Sequence, residues 1–110
     1  MDFQLFKVET FIPEEYVNEL RFELNKVGAL TVDEKYDNCM STSRVKGSWR
    51  PLEGTNPYLG EVGEICEAEE IKVEFTCKKE VIRKAIEVIK EVHPYEVPVI
   101  NVIPVMTNYF

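Results

Sequence analysis

Histidine is nearly absent from this chain: His93 is the only one among 110 residues. A metal centre built on several imidazoles is therefore excluded within one copy. The three cysteines, Cys39, Cys66 and Cys77, are odd in number, widely separated and without a C-x-x-C pair. That pattern argues against a disulfide framework or a zinc knuckle and suits a reducing cytoplasm. Apolar runs are short, and none approaches the roughly 20 residues that a membrane span needs. The opening "MDFQLFKVETF" lacks the basic stretch and unbroken apolar core of a signal peptide, so a cytoplasmic location is expected. Positive charge is scarce too. Thirteen basic residues against twenty acidic ones leave a formal charge of −7, which repels phosphate backbones and anionic headgroups and argues against nucleic acid and membrane partners. Neither G-x-x-x-x-G-K-[ST] nor G-x-G-x-x-G occurs, so no recognised phosphate cradle is present.

What remains is an ordinary globular composition, 45% apolar, long enough for one domain spanning residues 1–110 with a single core. Residues 3–12 read as a strand covered on both faces, with Phe6, Val8, Thr10 and Ile12 on one side. Pro13 at a first helical position, Glu14 and Glu15 beside the positive helix end, and Val17, Leu20, Leu24 and Val27 at helical spacing predict a helix that stops at Gly28. Residues 29–50 predict a strand or bent hairpin. "PLEGTNPYLGEVGE", 51–64, has too many glycines and prolines for a regular element and reads as a long loop, the kind that carries function or meets another subunit.

"IKVEFTC", 71–77, alternates as a half-buried strand, while "EICEAEE", 64–70, just before it reads as a solvated acidic face. Residues 79–92 carry one apolar stripe and two i,i+4 ion pairs, which predicts a helix stopped by Pro94. "VPVINVIPV", 97–105, predicts a last strand, which Pro104 puts at an edge or makes irregular near its end. The order is that of an α+β, ferredoxin-like βαββαβ sandwich: four antiparallel strands, two helices on one face, and a long loop or extra hairpin between the second and third strands. Two helices cover one sheet face. Phe3, Leu5, Ile100 and Val102 are expected on the other, which predicts a homo-oligomer, dimer or trimer.

Candidate chemistry gathers in "HPYEVP", 93–98. His93 is read first as a helix-end residue, with Pro94 ending the helix and Tyr95 packing at a rim. As a metal ligand it needs convergent partners, and the available set is His93, Glu96, Asp37 and Cys39. Nothing in the spacing brings them together. Covalent catalysis by a Cys–His pair ranks low, and Cys77 on the inward face of its strand reads as a small hydrophobe. Loop residues Glu53, Thr55, Asn56 and Tyr58 offer carboxylate, hydroxyl, amide and aromatic groups for a ligand, with docking onto a neighbouring subunit an equal alternative. Trp49 reads as interface or core packing, with a stacking surface as the other reading.

The blocks "KVETFIPEEYV", "YDNC", "RPLEGTNPYLGEVGE" and "HPYEVP" resemble, in order over nearly the whole chain, the inserted regulatory-type domain of YqfO-type Ngg-interacting-factor-like proteins. "HPYEVP…IPV" is also similar to the end of CutA divalent-cation-tolerance proteins. The resemblance implies a stand-alone PII/CutA-like oligomeric module, not an enzyme and with no catalytic residues, that senses a small ligand or a divalent metal ion or docks a protein partner. His93, Tyr95 and Glu96 join the loop residues as ligand-binding candidates. On this resemblance the dinuclear metal domain of the larger family is expected to be absent, because one histidine cannot hold such a centre. Two other readings stay open: a metal-dependent enzyme with its site at a subunit interface, and a purely structural adaptor.

Overall fold

The computed structural model describes residues 2–107. Its elements are β1 (Leu5–Ile12), a 3₁₀ turn (Glu14–Tyr16), α1 (Val17–Lys26), β2 (Ser41–Trp49), β3 (Cys66–Lys78), a second 3₁₀ turn (Lys79–Val81), α2 (Ile82–Val92) and β4 (Ile100–Val105). The strands form one antiparallel sheet in the order β2-β3-β1-β4, the ferredoxin-like arrangement. The two long-range β-α units each send the chain back across the same face, so both helices cover one side.

Alternation sets which residues face the helices. Val8, Thr10 and Ile12 of β1 lie opposite Phe75, Val73 and Ile71 of β3, and all are buried with Leu20 and Leu24 of α1 and Ala85, Val88 and Ile89 of α2. Thr10 is the polar member of this layer, and its hydroxyl donates to the Val99 carbonyl at 2.8 Å. Each helix starts one turn later than the apolar spacing suggests, because a 3₁₀ turn precedes it. Gly28 has φ of +82° just beyond α1, and the amides of Gly28 and Ala29 reach back to the Asn25 and Leu24 carbonyls at 3.0 Å each. A left-handed residue there closes the last helical turn at little steric cost only because it is glycine.

The structure corrects two expectations. Ile100 and Val102 pair with Thr10 and Val8 and so share the helix-facing side; Ile100 packs against the core. In a strand apolar on both faces, periodicity leaves the side undetermined, and the register with β1 decides it. The opposite side is charged at its centre. Lys7 lies 3.5 Å from Glu9 and 3.3 Å from Glu74, and Lys72 lies 3.4 Å from Glu9 and 2.8 Å from Glu74. The second correction concerns residues 66–70, read as a solvated face. They form the first half of β3, paired with β2 from Trp49↔Cys66 to Val45↔Glu70. Glu67 and Glu69 are exposed, but Glu70 is only 6% exposed.

In 29–50 the chain makes a tight Val32↔Tyr36 bridge and then the single strand β2. Asp33, Glu34 and Asn38 have positive φ there, and Asn38 is held by Asn25, whose side-chain oxygen accepts its N–H at 2.8 Å. None of the described helices is long and apolar enough to cross a membrane.

Candidate functional site

The site lies at the end of the sheet where β1 finishes, β3 begins and α2 gives way to the segment leading into β4. His93 is the joint between them. It caps α2 in an extended conformation, is 6% exposed, and its Nε2 lies 2.6 Å from the Phe11 carbonyl oxygen. Its Nδ1 accepts the N–H of Tyr95 at 3.2 Å. A nitrogen that accepts carries no proton, so the other must be the N–H that donates to Phe11. Burial lowers the imidazole's pKa from its ordinary value, while the Phe11 carbonyl and the Glu70 charge pull the other way. The ring is thus neutral, with both nitrogens engaged within the chain.

Tyr95 sits beside it, at a ring-centroid distance of 4.7 Å, and is the hub of an aromatic cluster. Trp49 lies 5.6 Å from it and Tyr58 5.8 Å; Tyr16 meets Tyr58 edge-on at 6.3 Å. Trp49 is oriented by its indole N–H, which donates to the Leu59 carbonyl at 3.1 Å. The Tyr95 pKa is raised strongly, first by burial and then by the Glu70 carboxylate that its hydroxyl meets.

Loop 51–64 folds over this cluster. Its ends are closed by the Gly63 N–H donating to the Pro51 carbonyl at 2.8 Å, and Thr55 uses both its N–H and its hydroxyl on the Leu52 carbonyl. Glu96 ties the loop down: the Asn56 N–H donates to its two carboxylate oxygens at 3.0 and 3.3 Å. "EGTNPYLG" and "HPYEVP" therefore meet inside one chain. Between them and the sheet lies a cleft of about 440 Å³, lined by Trp49, Tyr58 and Tyr95 and by the carboxylates of Glu70 and Glu96, with Phe11 and Gly47 on the sheet side.

Gly47 shapes the cleft. A β-carbon at this position would overlap Oε1 of Glu70, so with glycine here that carboxylate lies across β2 and reaches the cleft, and a larger residue would make it shift.

Of the residues singled out from sequence, Thr55, Tyr58, Tyr95 and Glu96 line the cleft. His93 stands behind Tyr95, Asn56 contributes its backbone N–H to Glu96, and Glu53 lies on the same loop without lining the cleft. Asp37 and Cys39 are at the other end of the sandwich, where α1 ends. Asp37 accepts from Asn25 and Asn38, and the Cys39 thiol lies 3.6 Å from the Asp37 carbonyl oxygen. The structure thus groups His93 with Glu96 but not with Asp37 or Cys39. Among the described residues no three His, Cys, Asp or Glu side chains converge as a metal-binding group.

Sequence reasoning missed Glu70, Gly47 and Phe11. The one available signal was a glycine interrupting a β-forming stretch, which marks a close approach by something else.

The fold is that of CutA-like domains. Residues 58–109 match the model of the CutA1 divalent ion tolerance protein family. The chain is 36% identical over 98 residues to a GTP cyclohydrolase 1 type 2 homolog of Staphylococcus epidermidis, a match covering 89% of this chain and 26% of that protein. A Bacillus cereus protein related to NIF3 superposes with a TM-score of 0.82 at 28% identity, over 96% of this chain and 26% of the other. CutA of Pyrococcus horikoshii shares the fold, with a TM-score of 0.69 at 24% identity over 92% and 84% of the two chains. The chain spans about a quarter of the length of the curated relatives it matches.

Proposed function

We propose that this chain is a non-enzymatic, oligomeric PII/CutA-like module that senses a small ligand in the cleft between loop 51–64 and the 93–99 segment. The observation that carries the reading is the Glu96 clasp on the Asn56 amide, which holds the glycine-rich loop over an aromatic wall. A binding pocket needs such a pre-formed concave surface with few, well-placed polar groups.

The side chains favour binding over chemistry. Both His93 nitrogens are engaged, so the imidazole is not free to act as a general base at the cleft. The Cys77 thiol is pushed up to about 11 by burial, which leaves it protonated and unreactive at neutral pH. Assembly is supported by β2 and β4 lying at the edges of the sheet among the described residues and by exposed apolar residues, Val97 at 79% and Ile65 at 76%. Exposed strand edges and apolar residues together are what neighbouring subunits cover.

A thermal-shift screen with metal ions and nucleotides, with light scattering on the same sample, tests this. A ligand at 100 times its Kd raises stability by about 2.7 kcal/mol. The reading expects at least one stabilising compound whose effect is lost in Glu96→Ala, and a particle larger than one chain. A stable monomer that no compound stabilises would overturn it.

A further inference from the structure

The chemistry of the cleft wall narrows the ligand. Its polar side chains include two carboxylates, and no lysine, arginine or histidine lines it among the described residues. Glu70 is 94% removed from solvent by its 6% exposure, and no ion pair is formed by it among the described residues. The Tyr95 hydroxyl meets it, and its Oε1 lies where a β-carbon on Gly47 would stand. A buried charge of this kind is stable when a counter-charge reaches it. The rest of the wall is aromatic, Trp49, Tyr58 and Tyr95, and such ring faces attract cations most strongly where water is excluded.

A metal ion fits this donor set poorly. Calcium takes six to eight oxygen ligands, and of the two carboxylates here Glu96 is already engaged with Asn56. Softer metals want imidazole or thiolate, and His93 has no free nitrogen. An ammonium or guanidinium group on an apolar body satisfies both the carboxylate and the rings.

Resting on the ligand-binding reading above, we propose that the cleft binds a small organic cation, with Glu70 as its counter-charge and Trp49, Tyr58 and Tyr95 as its aromatic wall. Gly47 is then a specificity residue, because it makes room for the Glu70 carboxylate.

Trp49 is the only tryptophan and reports on the cleft directly. Its fluorescence is followed during titration with choline, agmatine and phenethylammonium, and with dimethylbutanol, in which carbon replaces the charged nitrogen of choline. At least one cation should bind at millimolar concentration. If that cation is choline, dimethylbutanol should bind about tenfold more weakly; for agmatine or phenethylammonium the control is the Glu70→Gln loss alone. Glu70→Gln, which keeps shape and hydrogen bonding, should weaken the cation by about tenfold or more without changing the melting temperature of the free protein appreciably. Gly47→Ala should weaken it as well, by displacing the carboxylate.

If a neutral or anionic compound from the screen binds and all three cations fail, the charge inference falls while the cleft survives as a ligand site. Equal binding of choline and dimethylbutanol, or cation binding unchanged in Glu70→Gln, also overturns it. If nothing tested binds, both readings fall together.

Discussion

His93 Nε2 stands 2.6 Å from the carbonyl oxygen of Phe11, and that one contact fastens the end of α2 to the last turn of β1. The same ring accepts the Tyr95 N–H, so a histidine that looks like a ligand in sequence is spent on positioning the aromatic hub of the cleft.

His93→Ala removes a donor and an acceptor at once and strands a buried carbonyl. The expected loss is about 2 to 4 kcal/mol in urea unfolding at neutral pH. A loss below half a kcal/mol would show that water replaces both contacts.

The same residue gives the domain an acid-sensitive stability. Its folded pKa lies below the ordinary 6.5, so the unfolded chain binds the proton more readily. Stability is fully present above about pH 6.5 and falls as pH drops below it. Glu9 and Glu74 are lowered from 4.5, chiefly by the Asn101 hydrogen bond and by Lys72 respectively, and add their own loss only at more acidic pH. Urea midpoints measured from pH 7.5 down to 5 should decline in the native protein and stay flat in His93→Gln.

Gly47→Ala forces the new methyl group against Glu70. The overlapping atom is the end of a flexible side chain, so the cost should sit at the low end of the range for overpacking, about 1 kcal/mol, and it should shrink in a Glu70→Ala background, where the overlapping oxygen is gone. A double-mutant cycle of melting temperatures with no coupling would refute the contact.

Leu24→Ala, at a fully buried core position on α1, should cost about 2 to 5 kcal/mol. Arg44→Ala breaks the contact with Glu14 at 2.7 Å, but each side chain is 62% exposed, so solvent screens the pair and the loss should be far smaller than that of Leu24→Ala. Chemical denaturation of the two variants side by side checks the contrast.

Thiol labelling at pH 8 should modify Cys39 and Cys66, which are partly accessible, well before Cys77, which is buried with its pKa pushed up to about 11. Peptide mass spectrometry reads the order; early labelling of Cys77 would contradict its packing.

The elements were legible in the chain because their signals are local. Alternation in 71–77, the apolar stripe of 79–92, and the breakers of 51–64 each act within a few residues. The face of β4 was not legible, since a strand apolar on both sides carries no preferred side until β1 pairs with it. Glu70 was misread for a related reason: among four glutamates its own neighbours give no hint of burial, which comes from Gly47 across the sheet and Tyr95 from another segment.

The sequence by itself determined the βαββαβ order, the single core and the place of the long loop, because period, propensity and turn chemistry are properties of neighbouring residues. Only the tertiary structure decided that "HPYEVP" and "EGTNPYLG" close on each other, that His93 is spent as a joint, and that Glu70 faces an aromatic cleft. Those facts depend on strand register and on contacts between residues far apart in the chain, which no local pattern encodes.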